Sequence, residues 1–322
     1  MDRFTDSLGK KFFLQFRKLV PGIKLTLKEK TPRSTVSKFV QWKTFFINEG
    51  MFRFFNDTVI TGTDTAIKQK ISTPKENRYL NQLKFVYENY RALYPFDIQL
   101  QVEQAKHFIK PALTANYFLN YAEGNGMQVR FFAGKFIYTQ EKTISNQFET
   151  ERYHLNLSGA SGYEDYTYSD YFIARNKFEG LASQQIKTSD GAFKVRTELL
   201  AEKVGKTDDW LMAVNFNSPF PQKLNPLSVL PIKIPLYVFA DVGTYAEAWD
   251  RTADTDRFLF DAGFHLPLFN KTINIYFPVI YSNVYREYFK STIIKNRLFK
   301  AATFSINLNH QTIGKLKNQL GL

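Results

Sequence analysis

The 322-residue chain has no cysteine, and only 4 methionines, 3 tryptophans and 4 histidines. Disulfides, thiolate metal sites and a thiol nucleophile are excluded together. The histidines, His107, His154, His265 and His310, stand far apart, and no HExxH motif occurs. The two imidazoles one helical turn apart that a zinc peptidase needs are therefore missing. Nor is there a phosphate loop, because Gly159–Gly162 lacks the Lys-Ser/Thr and a following helix. No catalytic, cofactor-binding or metal-binding constellation is expected. No apolar run of about 18 residues exists, so no spanning helix is expected. Residues 1–22 are basic but carry neither an apolar h-region nor a small-residue cleavage site. They read as a lead-in or an incomplete first strand, and the chain as the C-terminal part of a longer protein.

What is present is aromatic and alternating. Phe and Tyr number 32 and 18. Ile98, Leu100 and Val102 alternate with Gln99, Gln101 and Glu103; Leu113, Ala115, Tyr117 and Leu119 alternate with Thr114, Asn116 and Asn120. A period of two places one apolar and one wet face on each strand. Further strands are expected near 23–28, 36–47, 52–60, 79–89, 127–138, 153–157, 172–187, 192–203, 210–217, 232–243, 258–268, 272–281 and 301–309, with a polar linker over 61–77. The pattern specifies an all-β protein of roughly 14 strands (about 12–16), either a sandwich or a barrel.

The connections favour a transmembrane antiparallel β-barrel over residues 1–322 as one domain. Asn270-Lys271 makes a very short turn, whereas 246–256 and 283–297 on either side are long and charged. Short turns at one end and long loops at the other, with strands of about ten residues, suit an outer-membrane barrel. The proline-rich segment 217–230 falls on the short-turn side, where it is too long, and is expected across the barrel mouth. Tyr79, Tyr121, Tyr138, Trp210, Tyr276 and Tyr281 are candidates for interfacial girdles. The charge of +13 is scattered along the chain, which suits lumen and loop positions and not nucleic acid.

Two segments share a rhythm ending in Asp-x-Gly. In the first, Ile232, Ile234, Leu236 and Val238 oppose Lys233, Asp241 and Gly243; in the second, Phe258, Phe260 and Phe264 oppose Asp261, Gly263 and His265. The apolar set is expected to face lipid, where a charge costs a few kcal/mol, and the other set the lumen. Asp241 and Asp261 are expected on neighbouring strands, paired with lumenal Lys or Arg, for which Lys233 on the same face is a candidate.

The stretches Val238-Phe-Ala-Asp-Val-Gly243, Asp261-Ala-Gly263 and Ile273-Asn-Ile-Tyr-Phe-Pro278 resemble the final strands of the bacterial surface-antigen barrel superfamily. Residues from Leu230-Pro-Ile-Lys-Ile-Pro235 through Tyr281-Ser-Asn-Val-Tyr285 further resemble the C-terminal region of large Bacteroidetes envelope proteins that carry an upstream zinc aminopeptidase-like domain. The resemblance implies a Gram-negative outer-membrane location, with outer-membrane lipid and an upstream domain as partners. It implies a membrane anchor or pore, or the anchor of a metallopeptidase whose catalytic domain lies elsewhere. Superfamily members carry an Arg-Gly-Tyr or Arg-Gly-Phe loop motif reaching into the lumen; Ser161-Gly162-Tyr163 is the nearest match here, with Ser for Arg. Around it Gly162, Tyr163, Glu164, Asp165 and Tyr166 form a loop read either as an exposed ligand patch or as packing over a barrel mouth. A soluble β-rich binding protein is the remaining alternative, and it would need polar outer faces.

Overall fold

The computed structural model describes residues 2–5 and 11–308, apart from 30, 32, 51–52, 62–63, 73, 122–125, 176–179, 197–203, 222–223, 227–234, 254 and 294–295. In chain order the strands are β1 Asp2–Thr5, β2 Lys11–Leu14, β3 Phe16–Leu19, β4 Gly22–Leu27, β5 Val36–Gly50, β6 Arg53–Thr61, β7 Asp64–Ser72, β8 Lys75–Asn89, β9 Phe96–Gln104, β10 Phe108–Asn120, β11 Gly126–Lys135 and β12 Ile137–Tyr138. They continue with β13 Leu155–Asn156, β14 Lys206–Thr207, β15 Trp210–Pro219, β16 Tyr237–Tyr245, β17 Leu259–Leu268, β18 Ile273–Tyr281 and β19 Thr303–Ile306. Three short helices, α1 Ile144–Thr150, α2 Asn283–Thr292 and α3 Arg297–Lys300, complete the list.

Thirteen strands form one antiparallel sheet in the order β19-β18-β17-β16-β15-β11-β10-β9-β8-β5-β3, with β4 also on β5 and β12 on β10. Neighbours on this path follow one another along the chain except where the hairpin β6/β7 is inserted between β5 and β8, where β12–β14 intervene between β11 and β15, and where β4, itself paired with β5, lies between β3 and β5. Pro21 divides the edge into β3 and β4, since proline cannot donate to a ladder. At one end of the sheet the connections are 28–35, 90–95, 121–125, 220–236 and 269–272; at the other they are 51–74, 105–107, 136–209, 246–258 and 282–302. The long-loop end thus carries the hairpin, the 136–209 excursion and both α2 and α3. Segment 220–236 is the long connection at the short-turn end, and its residues 227–234 lie outside the described set.

The sheet curls around the excursion. Laid flat, its eleven-strand path would hold β3 and β19 about 50 Å apart at roughly 4.8 Å per neighbour. Yet Phe16 of β3 stacks on Tyr168 at 4.0 Å, and Gln185 bridges Phe304 of β19. Gln185 Nε2 donates to the carbonyl of Tyr171 at 2.6 Å, so three residues of chain and a few direct contacts join the two edges. Among the described residues no ladder pairs β19 with β3 or β4.

The two faces are unlike. Outward-facing side chains include Leu83, Leu100 (49 % exposed), Val102, Met212, Val242 (41 %), Phe260, Phe264 (38 %) and Ile280. The inward face carries Gln82, Gln101, Glu103, Lys110, Asn116, Arg130, Asn215, Asp241 and Asp261, together with an apolar core at the long-loop end. That core joins Phe132, Leu211 and Leu259 of the wall to Leu155, Leu157 and Phe193 of the excursion and Tyr285 and Phe289 of α2.

Several expectations are corrected. The stretches 172–187 and 192–203 are not strands; their described residues run irregularly through the excursion with isolated bridges only. Their apolar residues, Ile186 and Phe193 among them, answer to the inner wall and not to a ladder. The linker over 61–77 is instead the return strand β7 and the start of β8. Tyr276 points inward against His265 (ring centroids 4.8 Å), and Tyr138 donates to Asp208 at 3.0 Å, so neither belongs to an outer girdle.

Candidate functional site

The polar inward face and the 136–209 excursion meet at two docks. The first lies on β5, β8, β9 and β10. Glu49 takes Arg78 Nη2 at 2.5 Å and also pairs with Arg152 and the Tyr168 hydroxyl, both of the excursion. One strand further, Glu103 pairs with Lys110 at 3.0 Å and accepts from Gln82, Gln101 and the Tyr166 hydroxyl. Lys110 Nζ also donates to Tyr166 Oη at 2.7 Å and to the Tyr153 carbonyl at 3.0 Å. Here the wall supplies both signs of charge, and the excursion adds Arg152 and two phenols.

The second dock lies on β15, β16 and β17. Asn215, Asp241 and Asp261 stand opposite one another in register. Lys194 Nζ reaches Asp241 Oδ2 at 2.9 Å, and the backbone N–H groups of Lys194 and Val195 donate to Asp261 Oδ2 at 2.9 and 3.1 Å. Asn215 Nδ2 donates to Asp241 Oδ1 at 2.9 Å and to the Gly191 carbonyl at 2.8 Å, while Arg130 Nη1 donates to the Asp190 carbonyl at 2.7 Å. Thr303 of β19 donates to the Lys194 carbonyl at 2.6 Å. Glycine is required at 243, because a Cβ there would lie 2.5 Å from Leu157 Cδ2 and 3.2 Å from Phe193.

Between the docks the excursion is tied to itself. Asp165 takes Arg175 at 3.1 Å, the Asp170 backbone N–H at 2.9 Å and the Thr167 hydroxyl at 2.9 Å, and Lys187 pairs with Asp170 at 2.6 Å. Burial pushes the Asp165 carboxyl up, but Lys187, the Asp170 N–H and Arg175 outweigh it and hold it below its ordinary value. Burial raises Glu164 against the opposing Lys206 and Ser161 N–H. The loop residues Gly162, Glu164 and Asp165 are buried and Tyr163 and Tyr166 half-buried, so this loop packs inside the curled sheet and offers no exposed patch.

Of the residues singled out from sequence, Asp241, Gly243, Asp261 and His265 share the inward face, with Gly263 among them. His265 sits between the side-chain oxygens of Asn217 and Asn274, each at 3.1 Å. Leu236 and Val238 lie on the outward side, as do Phe260 and Phe264, and Phe258 is exposed just before β17. Ile232, Lys233 and Ile234 lie outside the described residues. Among the described residues the cation that reaches the carboxyl pair is Lys194, 47 residues before Asp241 and on the excursion. Ser161, which stands where the loop motif has Arg, donates its N–H to Glu164 Oε2 at 2.8 Å.

Sequence reasoning missed Lys194, Glu49, Arg78, Arg152 and Lys110. Glu103 and Lys110 carried a signal, being charges on the polar parity of clear strands; Lys194 carried none. Chemically both docks are buried ion-pair and hydrogen-bond locks. No group of three or more His, Asp or Glu able to hold a metal occurs among the described residues.

No family model matches the chain, and no curated protein matches it. Among solved structures it is similar to CdiB from Acinetobacter baumannii, at 10 % sequence identity and a TM-score of 0.43, over 87 % of this chain and 42 % of that one. The chain thus spans less than half the length of that protein.

Proposed function

We propose that the chain is an outer-membrane β-barrel of a Gram-negative envelope protein, and that it serves as a membrane anchor or closed pore without catalysis of its own. The observation that carries this reading is the inversion of the two faces. A soluble protein hides its apolar side chains; here Leu83, Leu100, Val242, Phe260 and Ile280 stand outward across the sheet, and Gln101, Glu103, Arg130 and Asp241 stand inward. The asymmetry of turn and loop lengths supports the same reading. In lipid an open edge is costly, so the reading takes β19 and β3/β4 to meet, directly or through a further strand. The contacts of Tyr168 and Gln185 with both edges favour that closure.

Anchor is preferred over open pore because the excursion occupies the interior and is locked at two buried docks. Attachment to an upstream zinc aminopeptidase-like domain belongs to this proposal as its most specific form, resting on the sequence resemblance alone. The test is heat-modifiability: the chain is refolded in detergent and compared on gels with and without boiling. A faster, protease-resistant unboiled band, with little liposome conductance, is the expected result. Solubility in plain buffer with no band shift would leave a soluble β protein instead.

A further inference from the structure

We infer that the seam beside β19 holds an anionic, phosphate-bearing lipid, an inference that rests on the membrane reading above. Among the described residues the ladder of β19 is with 273–276 of β18, beside the isolated bridge to Gln185; before β19 the chain runs outside the ladder as α3, and Phe299 packs on the outward Phe277 at 6.4 Å between ring centroids. Behind α3 lies a cavity of about 680 Å³ with Leu181, Phe289, Ile293 and Phe299 on its apolar side and Gln184, Arg196, Thr292, Asn296 and Lys300 on its polar side. That volume lies within the roughly 300–1,000 Å³ of ligand pockets. Phe299, which packs on the outward Phe277, is 70 % exposed, so this side of the cavity adjoins the outward apolar face.

The charge at the same place has one sign. Lys300 and Arg196 line the cavity itself, and Arg286, Lys290 and Arg297 stand on the same two helices; among the described residues of α2 and α3 the one acid is Glu287, which Lys290 takes at 2.7 Å. Arg297 and Lys300 are exposed beside Leu298 and Phe299. A cavity with one apolar wall beside the outward Phe299 and one polar wall that includes Arg196 and Lys300 fits an amphipathic ligand, an acyl chain with an anionic phosphate head. A soluble anion would engage the cations and leave Leu181, Phe289, Ile293 and Phe299 without a partner.

The test uses the full chain in neutral detergent, with phosphatidylglycerol or phosphatidylcholine added and the bound lipid counted by native mass spectrometry. Preferential retention of phosphatidylglycerol is expected, falling several-fold in Arg297→Gln/Lys300→Gln while the heat-dependent gel shift is unchanged. A second variant, Phe299→Ser, should lower retention of both lipids. Equal retention of the two lipids, or an unchanged preference in the double variant, with the gel shift intact, overturns the inference and leaves the barrel reading standing. Absence of the gel shift in the parent chain overturns both.

Discussion

The two docks of the excursion differ in who brings the charge. At Glu49 and Glu103 the wall already pairs its own acids, through Arg78 and Lys110, and the excursion adds donors to a balanced cluster. At Asp241 and Asp261 the wall presents two acids, with Arg130 one strand further and bonded to the intervening Asn215, and the described cation in direct contact with the pair is Lys194 from the excursion. A buried charge that loses its one partner costs far more than a pair that loses an extra hydrogen bond. The first dock therefore holds its shape without the excursion, whereas the second is completed only when the excursion is in place.

The sharpest way to break this comparison is Lys194→Met, expected to cost about 3–5 kcal/mol because it leaves buried carboxyls uncompensated. Urea unfolding in detergent reads it, and adding Asp241→Asn should return part of the loss. A cost no larger than at the first dock would remove the distinction. Next comes the contrast between faces: Val242→Arg should cost about 2–4 kcal/mol in a bilayer. In a soluble protein so exposed a site would respond by less than about 0.5 kcal/mol. Smaller again is Arg152→Met, at about 1.5–3 kcal/mol, since Glu49 keeps Arg78.

The smallest effect is a slope. Asp165 is held below its ordinary value by Lys187, the Asp170 N–H and Arg175 acting against burial. Its contribution is therefore complete above the unfolded carboxylate pKa of about 3.9 and is lost as pH falls through the lowered folded value. Acid unfolding of Asp165→Asn should show a shallower pH dependence below about pH 4 than the parent chain. Identical acid limbs would show that Asp165 does not tie the excursion.

Much of the wall was legible in the sequence because strand parity is local. Gln99-x-Gln101-x-Glu103 against Ile98-x-Leu100-x-Val102 assigns both faces of β9 without any knowledge of its neighbours, and Asp241 and Asp261 follow by the same rule. The excursion was not legible. A stretch such as Phe193-Lys-Val-Arg196 alternates apolar and polar residues while Phe193 and Val195 pack in the inner core, and periodicity cannot tell that from a ladder. Lys194 becomes part of a dock only through a contact 47 residues along the chain. The β7 segment, Asp-Thr-Ala-Ile-Lys-Gln-Lys-Ile-Ser, has too few apolar residues to reveal a strand, and its partner β6 is what makes it one.

The most direct test of the central claim exploits the absence of cysteine. Single substitutions Leu100→Cys, Val242→Cys and Phe264→Cys on one face, and Gln101→Cys and Asn217→Cys on the other, would each carry a spin label in reconstituted bilayers. Collision with oxygen, which concentrates in lipid, and with a water-soluble nickel chelate would then be compared at each site. The account predicts high oxygen and low chelate accessibility at 100, 242 and 264, and the loss of that oxygen excess at 101 and 217. Chelate access at 100, 242 and 264 equal to that of a free label would mean that the apolar face meets water, and would contradict a membrane barrel.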